Sequence, residues 1–172
     1  MELPLLLAEK TLKPKEKTEL LAQLLIQKQL RADDLLVFAS TAKDAIKATC
    51  IEALEKATQK DPTILSETGF RWIMEALKAS APRIKWESAR VIGNTAHYFP
   101  SLTEAAIPNL LDNSEHIGTV VRWSAAYALG VIVQLPTARK EELKAVLESI
   151  LHREEKESIK KIYRSALKKA GI

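Results

Sequence analysis

The chain of 172 residues has few of the residues from which catalytic and metal sites are usually built. Its one cysteine, Cys50, excludes an internal disulfide and any Cys-x-x-Cys metal or redox pair. The three histidines, His97, His116 and His152, stand apart, and none belongs to a His-Glu-x-x-His pair that would bind zinc from one helix face. Five glycines are scattered along the chain without a Gly-x-Gly-x-x-Gly or Walker pattern to cradle phosphates, and no Gly-x-Ser-x-Gly elbow presents a nucleophile. No apolar run approaches the roughly 18 residues that a membrane-spanning helix needs. The opening "MELPLLLAEKTLK" lacks both the basic n-region and the small-residue cleavage site of a secretory leader. These absences set the expectations: a cytoplasmic protein that is not an enzyme, with no cofactor, no metal and no membrane segment.

Aromatic residues are only 5% of the composition, whereas Ala, Leu, Lys and Glu dominate, a balance that favours helix over sheet. At this length a single domain over residues 1–172 is expected, with enough chain to bury a core. The net charge of +4 is unevenly spread: residues 116–172 carry eleven basic against six acidic side chains, whereas residues 61–115 carry five against seven. A basic last third fits nucleic acid or an acidic partner. It equally fits a solvated helix, because "HREEKESIKKIYRSALKK" mixes both signs.

The chain also repeats itself. "AIKATCIEALEKA" from Ala45, "RIKWESARVIGNT" from Arg83, "VVRWSAAYALGVI" from Val120 and "SIKKIYRSALKKA" from Ser158 align at offsets of 38, 37 and 38 residues. Each begins with an aliphatic–basic pair (Ile46-Lys47, Ile84-Lys85, Val121-Arg122, Ile159-Lys160) and carries a second apolar pair seven residues on. A second helical pattern precedes each copy: "RADDLLVFAS", "DPTILSETGFRWIMEALKAS", "PSLTEAAIPNLLDNS" and "PTARKEELKAVLESILHRE". Proline–polar punctuation marks the starts of the later three. A fixed period of this length is the mark of stacked helical hairpins. Residues 31–172 therefore divide into four repeats, and "KPKEKTELLAQLLIQKQL" within residues 1–30 is an amphipathic capping helix.

The stretch "AAIPNLLDNSEHIGTVVRWSAAYALGVI" resembles the HEAT repeat family, with an apolar first helix, an acidic turn, and a Val-Arg pair followed by alanines and Leu-Gly. The resemblance extends over roughly residues 30–172, with armadillo and other short helical repeats as near alternatives. It implies an all-α fold, a right-handed α-α superhelix of about four hairpins, whose second helices line the concave surface. It also implies that Lys47, Lys85, Arg122 and Lys160 tie adjacent repeats together, with Asp112 or Glu115 as partner for Arg122. Arg164, which stands where Ala89 and Ala126 stand in earlier copies, is expected on a polar terminal face.

Helical geometry then separates core from groove. At about 100° per residue, Val121, Ala125, Ala128 and Ile132 share a stripe roughly 60° wide, while Trp123 lies about 200° away beside Tyr127, Gly130 and Gln134. Trp86, Arg90, Gly93 and His97 cluster in the same way. Cys50 falls on the core side of its helix, and Trp72 belongs to a first helix in the outer layer. The candidate binding residues on the concave face are thus Trp86, Arg90, His97, Trp123, Tyr127, Lys161 and Lys168. Two readings of the tryptophans stand side by side: packing across a neighbouring helix, or contact with a ligand.

The leading expectation is a non-enzymatic scaffold that holds a protein or peptide partner. The alternative is a nucleic-acid-binding module using the basic end of the same groove. Similarity to the HEAT-like alkylpurine DNA glycosylases would imply aromatic residues one repeat apart and a carboxylate one turn on. Trp86 and Trp123 have that spacing, but Arg90 and Tyr127 stand in the carboxylate positions, and Glu52 follows Ala48 rather than an aromatic residue.

Overall fold

A computed structural model describes residues 2–171. Among them there are ten α-helices and no strand: α1 (Leu3–Ala8), α2 (Pro14–Ile26), α3 (Ala32–Thr41), α4 (Asp44–Lys60), α5 (Glu67–Ala76), α6 (Pro82–Thr95), α7 (Pro100–Ser114), α8 (Thr119–Ile132), α9 (Lys140–Arg153) and α10 (Glu157–Lys169). Short 3-10 turns follow α4 and α6, at Pro62–Ile64 and Ala96–Tyr98. The starts are chemically marked. Pro14, Pro82 and Pro100 occupy first helical positions, where a missing N–H costs nothing. Ser66 caps α5 by accepting from the Gly69 backbone N–H at 2.9 Å.

The helices form two layers. α4, α6, α8 and α10 pack successively side by side, and each also rests on the first helix of its own hairpin. The first helices meet one another only locally, α3 on α5 and α5 on α7. The closer packing of the second helices places them on the inside of the curve. α4, α6 and α8 are enclosed on three sides, so they bury nine, nine and eight residues, against three each for α5 and α9. The core stripe read from the sequence lies where expected: Val121, Ala125, Ala128 and Ile132 are all buried.

Small residues set the spacing within the inner layer. A Cβ on Gly93 would stand 2.4 Å from the Tyr127 ring, so glycine there lets that ring lie against α6. At the same register one repeat on, a Cβ on Gly130 would stand 3.1 Å from the Ala166 Cβ.

The N-terminal segment does more than cap. α2 joins the inner layer alongside α4, with Leu21, Ala22 and Leu25 buried, and α1 tucks Leu6 and Leu7 into the core. Lys17 Nζ donates to the Leu7 carbonyl at 2.6 Å and fastens α1 to α2.

The basic residues after the aliphatic position do tie repeats together at two places. Lys85 Nζ donates to Leu77 O of its own hairpin and, at 3.0 Å, to Asn113 Oδ1 of the next. Arg122 reaches forward in the same way, but its partner is neither Asp112 nor Glu115. It forks onto Glu154, with Nε to Oε2 at 3.0 Å and Nη2 to Oε1 at 3.3 Å, and also donates to the His116 and Ile117 carbonyls. Glu115 is engaged by Arg153 instead. The reason is position: Glu154 follows α9 and comes from the next hairpin, where a forward-pointing arginine meets it. Cys50 is fully buried, and burial pushes its thiol up to about 12, so it behaves as a small apolar side chain. Trp72, half-buried in the outer layer, donates from Nε1 to Ser40 Oγ at 2.8 Å.

Candidate functional site

The inner faces of α4, α6, α8 and α10 carry the candidate residues, and the structure joins some of them into one assembly. Trp123 stacks nearly parallel on Tyr127, one turn further along α8, with centroids 6.1 Å apart and planes 13° apart. The Arg90 guanidinium reaches across from α6 and lies 5.9 Å from the Trp123 ring. Arg90 is in turn held from α4, by Glu55 at 3.0 Å. The Tyr127 hydroxyl donates to Asn94 Oδ1 at 2.5 Å, while Asn94 Nδ2 donates to Glu55 O and Thr58 Oγ1, each at 3.1 Å. Three helices are thus linked through Arg90, Tyr127 and Asn94, and the two rings of α8 are fixed in place.

The burial of this assembly is graded. Glu55 and Asn94 are buried, Arg90 and Tyr127 half-buried, and Trp123 is 36% exposed. Removal from water pushes the Glu55 carboxyl up, and Arg90 opposes that shift. Burial likewise raises the Tyr127 hydroxyl, so it remains a donor at neutral pH.

Trp86 is used differently. Its Nε1 donates to the neighbouring Glu87 Oε1 at 3.0 Å, and the ring is half-buried. Glu87 is 5% exposed and its Oε2 has no hydrogen-bond partner. Loss of solvation pushes its carboxyl up to about 7, the Trp86 hydrogen bond opposes this, and Glu52 and Glu55 add to it. Glu52 itself is held by Arg83 and accepts from Thr18 Oγ1 at 3.3 Å. The carboxylates of the α4–α6 seam are therefore either paired or buried.

His97 lies apart from the row of Trp86 and Arg90. α6 ends at Thr95, and His97 belongs to the following 3-10 turn, where its exposed ring rests on Tyr98 with centroids 4.2 Å apart. Lys161 and Lys168 are exposed on α10 and form no ion pair among the described residues, whereas Arg164, also exposed, is engaged by Glu157.

Two residues that sequence reasoning passed over complete the surface. Val120 is 52% exposed and Ile117, in the turn before α8, is 94% exposed. On a helix Val120, Trp123 and Tyr127 fall within about 60° of one another. Ile117, Val120 and Trp123 are half of the exposed large hydrophobic side chains among the described residues, and Val120 and Trp123 share one face of α8. A signal for Val120 was present: the aligned positions hold Ala45, Arg83 and Ser158, so only this copy places a branched apolar residue at the start of its inner helix.

No helix among the described residues is long and apolar enough to cross a membrane. No protein-family model matches the chain, and no curated protein matches it by sequence. Solved structures do. A designed armadillo repeat protein in complex with the peptide (KR)4 is similar over 98% of this chain and 80% of its own, with a TM-score of 0.77 at 19% identity. A second computationally designed armadillo repeat protein, made for modular peptide recognition, covers 90% of this chain and 74% of its own, with a TM-score of 0.70 at 17% identity. The complex of CpcE and CpcF of phycocyanin lyase from Nostoc sp. PCC7120 contains a chain similar over 95% of this one and 96% of its own, with a TM-score of 0.74 at 19% identity. The fold is therefore that of an armadillo-like helical-repeat solenoid, shared with proteins that differ from this chain at four positions in five.

Proposed function

We propose that the chain is a cytoplasmic, non-enzymatic scaffold of HEAT-like two-helix repeats that holds a protein or peptide partner against the inner face of α8. One observation carries this reading. Val120 and Trp123 are exposed apolar side chains on one face of α8, and Trp123 is braced by Tyr127 and Arg90. A soluble surface rarely keeps such side chains together and rigid unless they are covered in use. Preorganised tryptophan, tyrosine and arginine are also the side chains that dominate binding energy at interfaces. Two hairpin helices per repeat, rather than three, support the HEAT label over the armadillo one. Support for a protein or peptide partner comes from the structural neighbours, two of them made for or bound to peptides and one a component of a two-protein complex.

The test is selection of short random peptides against the full chain, each binder then carrying a photo-reactive group for cross-linking. Binders that cross-link to α8 and compete with one another support the proposal. Binders that map only to the outer layer, or a selection that returns none, overturn it.

A further inference from the structure

The exposed side chains without an ion pair on α10 include Lys161 and Lys168, and their placement bears on the partner. In the α4–α6 seam every carboxylate is engaged or hidden: Glu52 by Arg83, Glu55 by Arg90, Glu87 by burial beneath Trp86. No acidic side chain is available there to meet a cationic ligand. On α10, which packs against α8, Lys161 and Lys168 face outward without an ion pair among the described residues. Exposed Val120 and Trp123 on α8 therefore neighbour a helix that carries two exposed lysines, of which Lys161 stands at the register of Trp123 one repeat on.

We infer that the inner face of α8 and α10 takes an acidic, apolar protein segment. Its apolar side chains cover Val120 and Trp123, and its carboxylates meet Lys161 and Lys168. This rests on the binding reading above and narrows it. Complementary charge steers encounter and rejects like-charged competitors, while the apolar contact supplies the holding energy. The same fold in a designed relative is bound to (KR)4, a basic peptide. The free charge on this chain's inner face has the opposite requirement, so a basic peptide is excluded. A nucleic acid also carries negative charge, but it needs a track of cations along its backbone and gains nothing from an exposed valine on α8. A peptide uses both features.

The experiment compares wild type with the K161E/K168E double variant in three binding assays: the selected peptides, (KR)4, and a short DNA duplex. Both lysines are exposed, so the variant is expected to fold as wild type, and its thermal midpoint checks this. The expected result is that selected peptides are enriched in Asp and Glu. They should weaken about tenfold or more on charge reversal at low ionic strength, and lose most of that difference at high salt. Neither (KR)4 nor the duplex should bind wild type. Peptides enriched in Lys and Arg, or acidic ones indifferent to the reversal, overturn the inference while leaving α8 as a binding surface. Duplex binding that falls steeply with salt and disappears in the variant overturns it in favour of nucleic acid. Failure to recover any peptide that cross-links to α8 removes the underlying reading, and the inference with it.

Discussion

The inner-layer seams on the two sides of α8 are built on different principles. On the α6 side, from α4 through α6 to α8, polar groups satisfy one another: Glu55 holds Arg90, Asn94 bridges Thr58 and Tyr127, and Arg83 holds Glu52. Between α8 and α10 the contact is made by small and apolar groups, Gly130 against Ala166 and Ile162, and the nearby lysines remain unengaged. A repeat protein needs its helices joined, but it does not need every seam joined in the same way. Polar groups engaged in cross-helix bonds hold Trp123 in place rather than meet a partner's charges. Where packing alone joins the helices, the charged groups stay free for a partner.

The largest expected contrast is in pH dependence. Glu87 ionises near its ordinary value when unfolded but only near pH 7 when folded. Its contribution to stability is therefore fully present below about pH 4.5 and is lost as pH rises through about 7. Across that window the loss is expected to reach about 3 kcal/mol, as one displaced carboxyl allows. Glu55, shifted in the same direction by burial, adds to it. Denaturant midpoints measured across that range should fall with rising pH in wild type and flatten substantially in Glu87→Gln, which keeps the oxygen facing Trp86 Nε1. An equally steep profile in the variant would show that Glu87 is not the group responsible.

Next in size is Arg90→Ala, which leaves Glu55 buried without its cation. A loss of about 2 kcal/mol is expected at neutral pH, below the figure for fully buried pairs because Arg90 is partly exposed. Much of it should return on acidification as Glu55 takes up a proton. A loss independent of pH would assign the effect to packing on Trp123 instead.

The two glycines sharpen the comparison between seams. Gly93→Ala forces the Tyr127 ring off α6 and strains its bond to Asn94, and a loss of about 1–2 kcal/mol is expected. Gly130→Ala meets the Ala166 methyl closely and Ile162 at ordinary contact distance, and it gains helix propensity, so its change should stay within about 1 kcal/mol. Equal losses from both would mean that the seams are alike. Smallest of all, Lys161→Glu and Lys168→Glu should each alter folding stability by less than about 0.5 kcal/mol, as expected for exposed, unpaired charges.

Most of the fold was legible because it is local and periodic. The spacing of Ile46, Ile84, Val121 and Ile159 marks the second helices, and the turn of about 100° per residue sets Trp123 and Tyr127 opposite the core. The less legible features depend on which residue a neighbouring hairpin supplies. Arg122 was visible as a tie, but Glu154, some thirty residues on, could not be read from local spacing. The exposure of Ile117 depends on a turn that projects from the hairpin, and the hidden state of Glu87 depends on α4 closing over it. His97 left its expected row because α6 tightens into a 3-10 turn after Thr95. α2 gave an amphipathic pattern that fits a cap and an inner-layer helix equally, and only its contact with α4 distinguishes them.

The central claim is that Trp123 is held out for a partner rather than packed for the fold. It is tested most directly by titrating a selected α8-directed peptide into wild type and Trp123→Ala, at equal folded concentration verified by denaturant unfolding of the same samples. Affinity is expected to fall about tenfold or more while folding stability changes by less than about 1 kcal/mol. Undiminished affinity, or a folding loss of the roughly 3–5 kcal/mol typical of buried aromatic residues, would contradict it.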